Sequence, residues 1–286
     1  MSARTTDGLW GRIENASLRT AGVYVALYGT AILFLVPYLW MISLSLKPRS
    51  AMFSRVPHWI PSNPTLQWYQ YVLSESPIVQ WTINTFLIAG ITTLLVLFFD
   101  SLIAFSLTRL EWPGRKFVLS VIIASFMVPA YVNIVPLYTL VSDLGLISNY
   151  AGVILPLTAG PLGVFLLVQF FRDFPDELEE AARLDGFSTF KIYSRLMLPM
   201  MKSPLTALAL FTFVSSWNQF LWPLIVLQSE GSYTLPIGLV TLSSSQVFQP
   251  GLMMAATFIA SLPLFVVFLL LQDHLINAIQ IQGTKG

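Results

Sequence analysis

The stretch Thr82–Leu107, TINTFLIAGITTLLVLFFDSLIAFSL, holds 26 residues, of which one, Asp100, is charged. A helix crosses the hydrocarbon core of a bilayer with roughly 20 mostly apolar residues, since each advances it by about 1.5 Å. A membrane barrel would show roughly ten-residue segments of alternating polarity instead. This run is continuous, so it predicts a spanning helix. The whole chain follows suit. Of 286 residues 55% are hydrophobic and only 10% charged, against about 25% charged in a soluble domain. With a mean hydropathy of +0.72, the chain has too few polar side chains to cover a water-facing surface. The fold class expected is an all-α integral membrane protein.

Five further runs have the same character, giving six expected spans: Ala21–Leu46, Thr82–Leu107, Phe117–Val141, Ala151–Phe171, Pro204–Gln228 and Gly251–Gln272. Several contain proline (Pro37, Pro129, Pro136, Pro156, Pro161, Pro223, Pro263). Inside lipid this is tolerated, because neighbouring helices and hydroxyl side chains satisfy the carbonyls that proline leaves free. The expected organisation is an inner N-terminal segment 1–20, a first span 21–46, an outer loop 47–81, a core transmembrane domain 82–272 and an inner tail 273–286. The first apolar run is too long for a signal-peptide core and has no small-residue cleavage pattern after it, so it reads as an uncleaved span.

Charge sets the orientation. An even number of spans puts both termini on one side. With that side inward, 12 of the 15 Lys and Arg residues lie inside, and only Lys47, Arg49 and Arg55 lie outside. This agrees with the excess of basic residues in cytoplasmic loops. The net charge of +1 argues against a nucleic-acid surface. Zero cysteines exclude disulfides, thiolate metal sites and a cysteine nucleophile. The two histidines, His58 and His274, are too few and too far apart in sequence for a metal site. No metal or other cofactor is expected.

The segment 172–203 is the one large feature of the inner face. It carries five basic and six acidic residues: Asp173, Asp176, Glu177, Glu179, Glu180 and Asp185. Locally it predicts two short helices around a turn. Pro175 and the acids after it suit a helix N-terminus. Asp185-Gly186 signals a turn, Ser188 can cap a second helix, and Pro199 limits that helix. Phe190, Tyr193 and Met197, with Leu196 beside them, give it one apolar stripe. Such a pair either docks another protein or packs as a solvated loop on its own membrane domain.

The run Glu180-Ala181-Ala182-Arg183-Leu184-Asp185-Gly186, continuing from Phe187 to Leu198-Pro199, resembles the EAA loop of binding-protein-dependent ABC importer permeases. Phe174-Pro175-Asp176-Glu177-Leu178-Glu179 fits that family's lead-in, and the loop lies between the fourth and fifth expected spans, where the family has it. Phe187 replaces the family's usual small residue. Trp112–Lys116, Ser216–Leu224, Tyr233–Leu239 and Asn63–Leu66 resemble the carbohydrate-importing, maltose-permease-like branch, in particular its shorter six-span subunit. The tail, Gln280–Gly286, keeps only the end of the family pattern.

The resemblance implies the type I ABC importer permease fold. It implies a second permease subunit, two ATP-binding subunits on the inner face, and an extracytoplasmic solute-binding protein that delivers a sugar. It also implies a place in the cytoplasmic membrane with both termini inside. Consistent with this, the chain has no Gly-x-x-x-x-Gly-Lys-Ser/Thr loop, so ATP hydrolysis falls to a separate chain and this one is no enzyme. Glu180, Ala181, Ala182, Asp185 and Gly186 are the expected ATPase-coupling residues. By resemblance Glu180 pairs with a basic group of the ATPase; read locally, it is a carboxylate stabilising its own helix. The two alanines allow close approach or simply favour helix. Gly186 suits a backbone conformation that side chains disfavour.

Trp217, Asn218, Gln219 and Trp222, with Tyr131 and Asn133, are candidates for the solute pathway. Sugars stack on aromatic faces and bond amides, although polar residues in spans also join helices to one another. Asp100 sits about seven residues, roughly 10 Å, from the inner end of its span. An intramembrane carboxylate is a functional hypothesis by default, yet the family's position is usually neutral. The preferred accounts are a bond to a hydroxyl such as that of Ser101, or a water-filled cavity. An ABC permease for glycerol phosphate or another polar solute stays open. An ion-coupled transporter would leave the EAA-like run without a role, and an intramembrane enzyme lacks its constellation.

The charge count yields a test of topology. Single cysteines at positions 188 and 229 of this cysteine-free chain should behave oppositely towards an impermeant thiol reagent: outside label reaches 229 and not 188. The reverse pattern refutes the orientation.

Overall fold

The computed structural model describes residues 7–52, 58–158, 160–245 and 249–283. Every regular element among them is helical. The helices are α1 (Asp7–Ser45), α2 (Gln67–Glu75), α3 (Ile78–Arg109), α4 (Arg115–Ser125), α5 (Ile134–Asp143), α6 (Tyr150–Thr158) and α7 (Pro161–Arg172). They continue as α8 (Asp176–Leu184), α9 (Thr189–Lys191), α10 (Leu198–Met200), α11 (Lys202–Trp217), α12 (Leu221–Val226), α13 (Leu235–Ser245) and α14 (Pro250–Gly283). Two compact units result, 1–72 with 248–258, and 73–247 with 259–286.

In the first unit the Thr20–Ser45 part of α1 is apolar and leaves Val25, Leu33 and Phe34 exposed, the condition of a helix whose solvent is lipid. Its end is tied down by polar contacts. The Lys47 ammonium donates to the His58 carbonyl and lies 4.6 Å from the centre of the Trp40 ring. The Trp68 indole donates to the Lys47 carbonyl at 2.7 Å, and the Ser45 and Tyr69 hydroxyls are 2.6 Å apart. The expected outer loop is therefore partly folded back onto the end of the first span, with α2 inside it.

In the second unit α3 is the central rod, packed against α6, α7, α11 and α13. Its 32 residues make it about 48 Å long, well beyond the roughly 30 Å of hydrocarbon. Three of its hydroxyls bond back to its own carbonyls, Thr85 to Trp81, Thr93 to Ala89 and Ser101 to Leu97, which satisfies them without water; the buried Thr92 hydroxyl has no such partner among the described residues.

Three helices, Thr20–Ser45, Ile78–Arg109 and Pro250–Leu270, are long and apolar enough to cross a membrane singly. The remaining expected spans are corrected from continuous helices to broken ones. Residues 117–141 are divided at Pro129, which is extended (φ −60°, ψ 130°) and followed by a 3-10 turn at Ala130–Asn133. Residues 151–171 form the pair α6 and α7, and Pro161 starts α7 at its first turn. Residues 204–228 form α11 and α12, interrupted at Asn218–Phe220. The physical cause is common to the first two: proline lacks the amide proton and disfavours helical geometry in the residue before it.

Between the fifth and sixth expected spans lies α13, whose anchor is the N-terminal end of α3. The Trp81 indole donates to the Glu230 carbonyl at 3.1 Å. The Asn84 amide donates to the carbonyls of Gly231 and Tyr233, both at 2.9 Å. The Leu235 amide donates to the Thr85 hydroxyl at 2.7 Å. Gly238 lies flat on the Trp81 ring, where a Cβ would overlap the indole. Gly238→Val should therefore push α13 off α3 and destabilise the protein by about 1–3 kcal/mol. Thermal unfolding in detergent checks this, and an unchanged midpoint refutes the close approach.

Candidate functional site

The site at the end of α3 is built on Arg109, its last residue, whose side chain is only 7% exposed. The last carbonyls of a helix have no partner within it and carry partial negative charge. Arg109 satisfies two groups at the end of α7: Nε donates to the Phe171 carbonyl at 3.0 Å, and Nη2 donates to the Phe174 carbonyl at 2.6 Å and to that of Phe171. The same guanidinium pairs with Asp176 and stands 3.5 Å from a Glu179 oxygen, both on α8. Glu179 is itself 2.7 Å from Arg183, one turn along α8. One planar cation thus joins the ends of α3, α7 and α8. Sequence reasoning counted Arg109 only as one more inward basic residue. Its sole local signal was a cation at the end of an apolar run.

α8 presents Glu179 and Ala182 inward and Glu180 and Ala181 outward. Glu180 has no partner among the described residues. After α8 the amide of Gly186 donates to the Arg183 carbonyl at 3.0 Å and that of Phe187 to the Ala182 carbonyl at 2.9 Å. This is a Schellman turn, which needs a left-handed residue at its centre. Gly186 supplies it with φ +78°. A Cβ there would meet nothing within 4 Å, so the constraint is the backbone angle and not crowding. Asp185 is exposed beside it.

Ser188 caps the next helix, accepting from the Lys191 amide at 3.4 Å. α9 then widens into a π-helix at Ile192–Met197. The extra residue per turn re-aims the stripe expected from 3.6-residue spacing: Ile192, Tyr193 and Met197 are buried, whereas Phe190 is 70% exposed. The Tyr193 hydroxyl is 2.8 Å from that of Ser101 on α3, and its ring stands 5.1 Å from Phe105. Pro199 does not end the helical path, which runs to Met200 and then turns by 77° into α11. Leu184 and Phe190 are large apolar side chains left open to solvent.

The second site lies at the break between α11 and α12. A cavity of about 500 Å³ is lined by Tyr131, Ser215, Asn218, Gln219, Phe220 and Trp222, among others, within the size range of small-molecule pockets. The break, with Asn218 near ψ 2°, brings these groups together. Two candidates fall outside it. Trp217 is 3% exposed and packs on Phe213, and Asn133 is exposed but absent from the lining. The Trp222 indole donates to the Gly152 carbonyl at 3.2 Å, so one of its roles is structural. Asp100 is buried, and its expected bond to Ser101 is not formed. The Ser101 hydroxyl is held by Leu97, Phe98 and Tyr193. The alternative account, a cavity beside the carboxylate, is what the structure has.

Residues 101–281 match the family of binding-protein-dependent transport system inner membrane components, and the chain belongs to that family. It is 35% identical over 260 residues to the arabinooligosaccharides transport system permease protein AraQ of Bacillus subtilis (strain 168), covering 90% of this chain and 92% of that protein. It is 30% identical over 262 residues to the diacetylchitobiose uptake system permease protein NgcG of Streptomyces coelicolor, covering 89% and 85%. Among solved structures, a bacterial ABC transporter involved in the import of the acidic polysaccharide alginate has a chain with the same fold, at TM-score 0.77 and 21% identity over 96% of this chain and 98% of that one. The chain is thus a membrane-embedded ABC transport permease, of a family of transport components and not of catalysts.

Arg109→Ala should release α8 from α3 and α7 and leave Glu179 without its second cation. Breaking such a buried pair costs about 3–5 kcal/mol. Arg109→Lys should not rescue it, because an ammonium cannot reach the carbonyls and carboxylates together as the planar fork does. Thermal unfolding of the detergent-solubilised protein is the measurement; a lysine variant as stable as the wild type would refute the role of the fork.

Proposed function

We propose that this chain is one of two permease subunits of an ATP-driven importer, forming with a second permease the membrane pathway for a sugar. Two ATP-binding subunits attach on the inner face, and an extracytoplasmic solute-binding protein delivers the cargo. Both termini and residues 172–203 face the cytoplasm. The observation that carries this reading is the pair of short helices α8 and α9, set at a fixed angle by Gly186 and hooked to α3 by Arg109. It exposes a free carboxylate, Glu180, together with Leu184 and Phe190. A free acid beside open apolar side chains suits a docking surface for a partner with a basic group and an apolar groove. Ala181 and Asp185, exposed in the same segment, join that surface, and Ala182 packs beneath it.

Sugar as cargo is supported by the printed cargoes of the relatives and by the cavity at the α11–α12 break. Amides and aromatic rings there, from Asn218, Gln219, Tyr131 and Trp222, are the groups that bond hydroxyls and stack on pyranose faces. Trp217 and Asn133 would act on this pathway only indirectly, by packing or from its margin.

Glu180→Lys should abolish uptake, more than tenfold, and weaken co-purification of the ATPase while membrane levels stay normal. Gly186→Leu should do the same, because an L-residue pays roughly 1–2 kcal/mol for the left-handed angle. Gly186→Asn, which tolerates that angle, should retain uptake. Charge reversal at Glu75, outside the segment, should leave the ATPase attached. Full uptake and full ATPase recovery in both Glu180→Lys and Gly186→Leu refute coupling through this segment.

A further inference from the structure

Asp100 is left without a function by the coupling site. It is 3% exposed, lies nine residues before the end of α3, about 14 Å along the axis, and has no hydrogen bond or ion pair among the described residues. A carboxylate held away from water and unpaired is costly, so stability alone does not explain it. Its surroundings are hollow. A cavity of about 160 Å³ places Asp100 with Thr212, Ser215, Ser216 and Gln219. This cavity shares Leu157, Ser215 and Gln219 with the larger one at the α11–α12 break. Asp100 and Gly160 also line a third cavity of about 360 Å³. Gly163 makes the seat: a Cβ there would collide with the Asp100 carboxylate. No Lys or Arg is among the residues that line any of the three.

We propose that Asp100 is the hydrogen-bond acceptor of an intramembrane solute subsite, which takes neutral polyhydroxyl solutes and rejects anionic ones. The proposal rests on the permease reading above and narrows its substrate class. A carboxylate has two oxygens with about four lone-pair sites, so it accepts two neighbouring hydroxyls of a sugar at once, and bonds to an ionised acceptor are the stronger kind. Thr212, Ser215 and Gln219 complete a polar wall that offers donors and acceptors in turn. In its ionised form Asp100 meets an acidic sugar or a phosphate ester with a like charge in a low-dielectric space, and no cation lining the cavities offsets it.

The test is uptake by cells carrying the complete importer, with arabinotriose and diacetylchitobiose as neutral probes and dimannuronate as the anionic one. Wild-type cells should accumulate at least one neutral probe and exclude dimannuronate. Asp100→Asn, equal in shape, should lower neutral uptake about tenfold through a higher KM, the weight of a charge-assisted bond, and should admit dimannuronate. Thr212→Val, which removes a hydroxyl from the same cavity without changing its shape, should lower neutral uptake several-fold and still exclude dimannuronate. Membrane level and ATPase recovery should match wild type in both variants.

Unchanged uptake and selectivity in Asp100→Asn overturn the proposal and leave the permease reading standing. So does a wild type that prefers dimannuronate. Loss of the Asp100→Asn chain from the membrane makes the role structural and overturns it too. Uptake of none of the three probes by wild-type cells sinks the solute class, and the subsite with it.

Discussion

The guanidinium of Arg109 is the constraint on which the packing of α3, α7 and α8 depends. Two carbonyls at the end of α7, the Asp176 and Glu179 carboxylates of α8 and the last turn of α3 meet on one side chain. Most of these groups would be expensive if left alone near an apolar core: orphan carbonyls at a helix end, the buried Glu179 carboxylate, and a cation that is itself buried. Together they offset one another. The geometry needs a flat fork with five donors, which only arginine provides. Because the fork grips three helix ends, α8 cannot shift without disturbing α3.

α3 carries that connection to its other end. Near its N-terminus Trp81, Asn84 and Thr85 hold the 230–235 turn and α13. Towards its C-terminus Ser101 and Phe105 hold Tyr193 of the π-helix, and Asp100 faces the cavities between α3, α7 and α11. The helices around this rod are broken where the rod is not. Pro129, the extended Gly160 before Pro161 and the Asn218–Phe220 interruption each break the helical path, and the last of these lets amide and aromatic side chains gather around a cavity. Non-helical backbone at membrane depth is tolerated only where it is covered by protein or lines a cavity. The 218–220 break meets that condition.

Local chemistry in the segment 172–203 was legible residue by residue. Ser188 before a helix, acids in the first turn of α8 and a glycine at a helix end are signals read over four or five neighbours, and each has the role that its neighbours dictate. The stripe of Phe190, Tyr193 and Met197 was only half legible. Its spacing assumes 3.6 residues per turn, and the π-helix at Ile192–Met197 changes the spacing, bringing Ile192 into the core and leaving Phe190 outside. Nothing in a short window signals a π-helix, because it is stabilised by what the buried face meets, here Ser101 and Phe105 of a helix some 90 positions away.

The sequence by itself determined that the chain is a helical membrane protein, which apolar runs supply its helices, and which family the 174–199 run belongs to. Apolar run length, composition and helix capping are local quantities, and transfer into lipid acts on them one segment at a time. Only the tertiary structure decided that Arg109 is the joint of three helix ends, that Trp217 is core while Asn218 and Gln219 face a cavity, that Asn133 lies apart from that cavity, and that Asp100 has a cavity beside it and not a bond to Ser101. Those outcomes depend on which helix ends and faces meet, and a polar group in a membrane protein takes its partner from a distant segment because its own neighbours in sequence are already bonded within their helix.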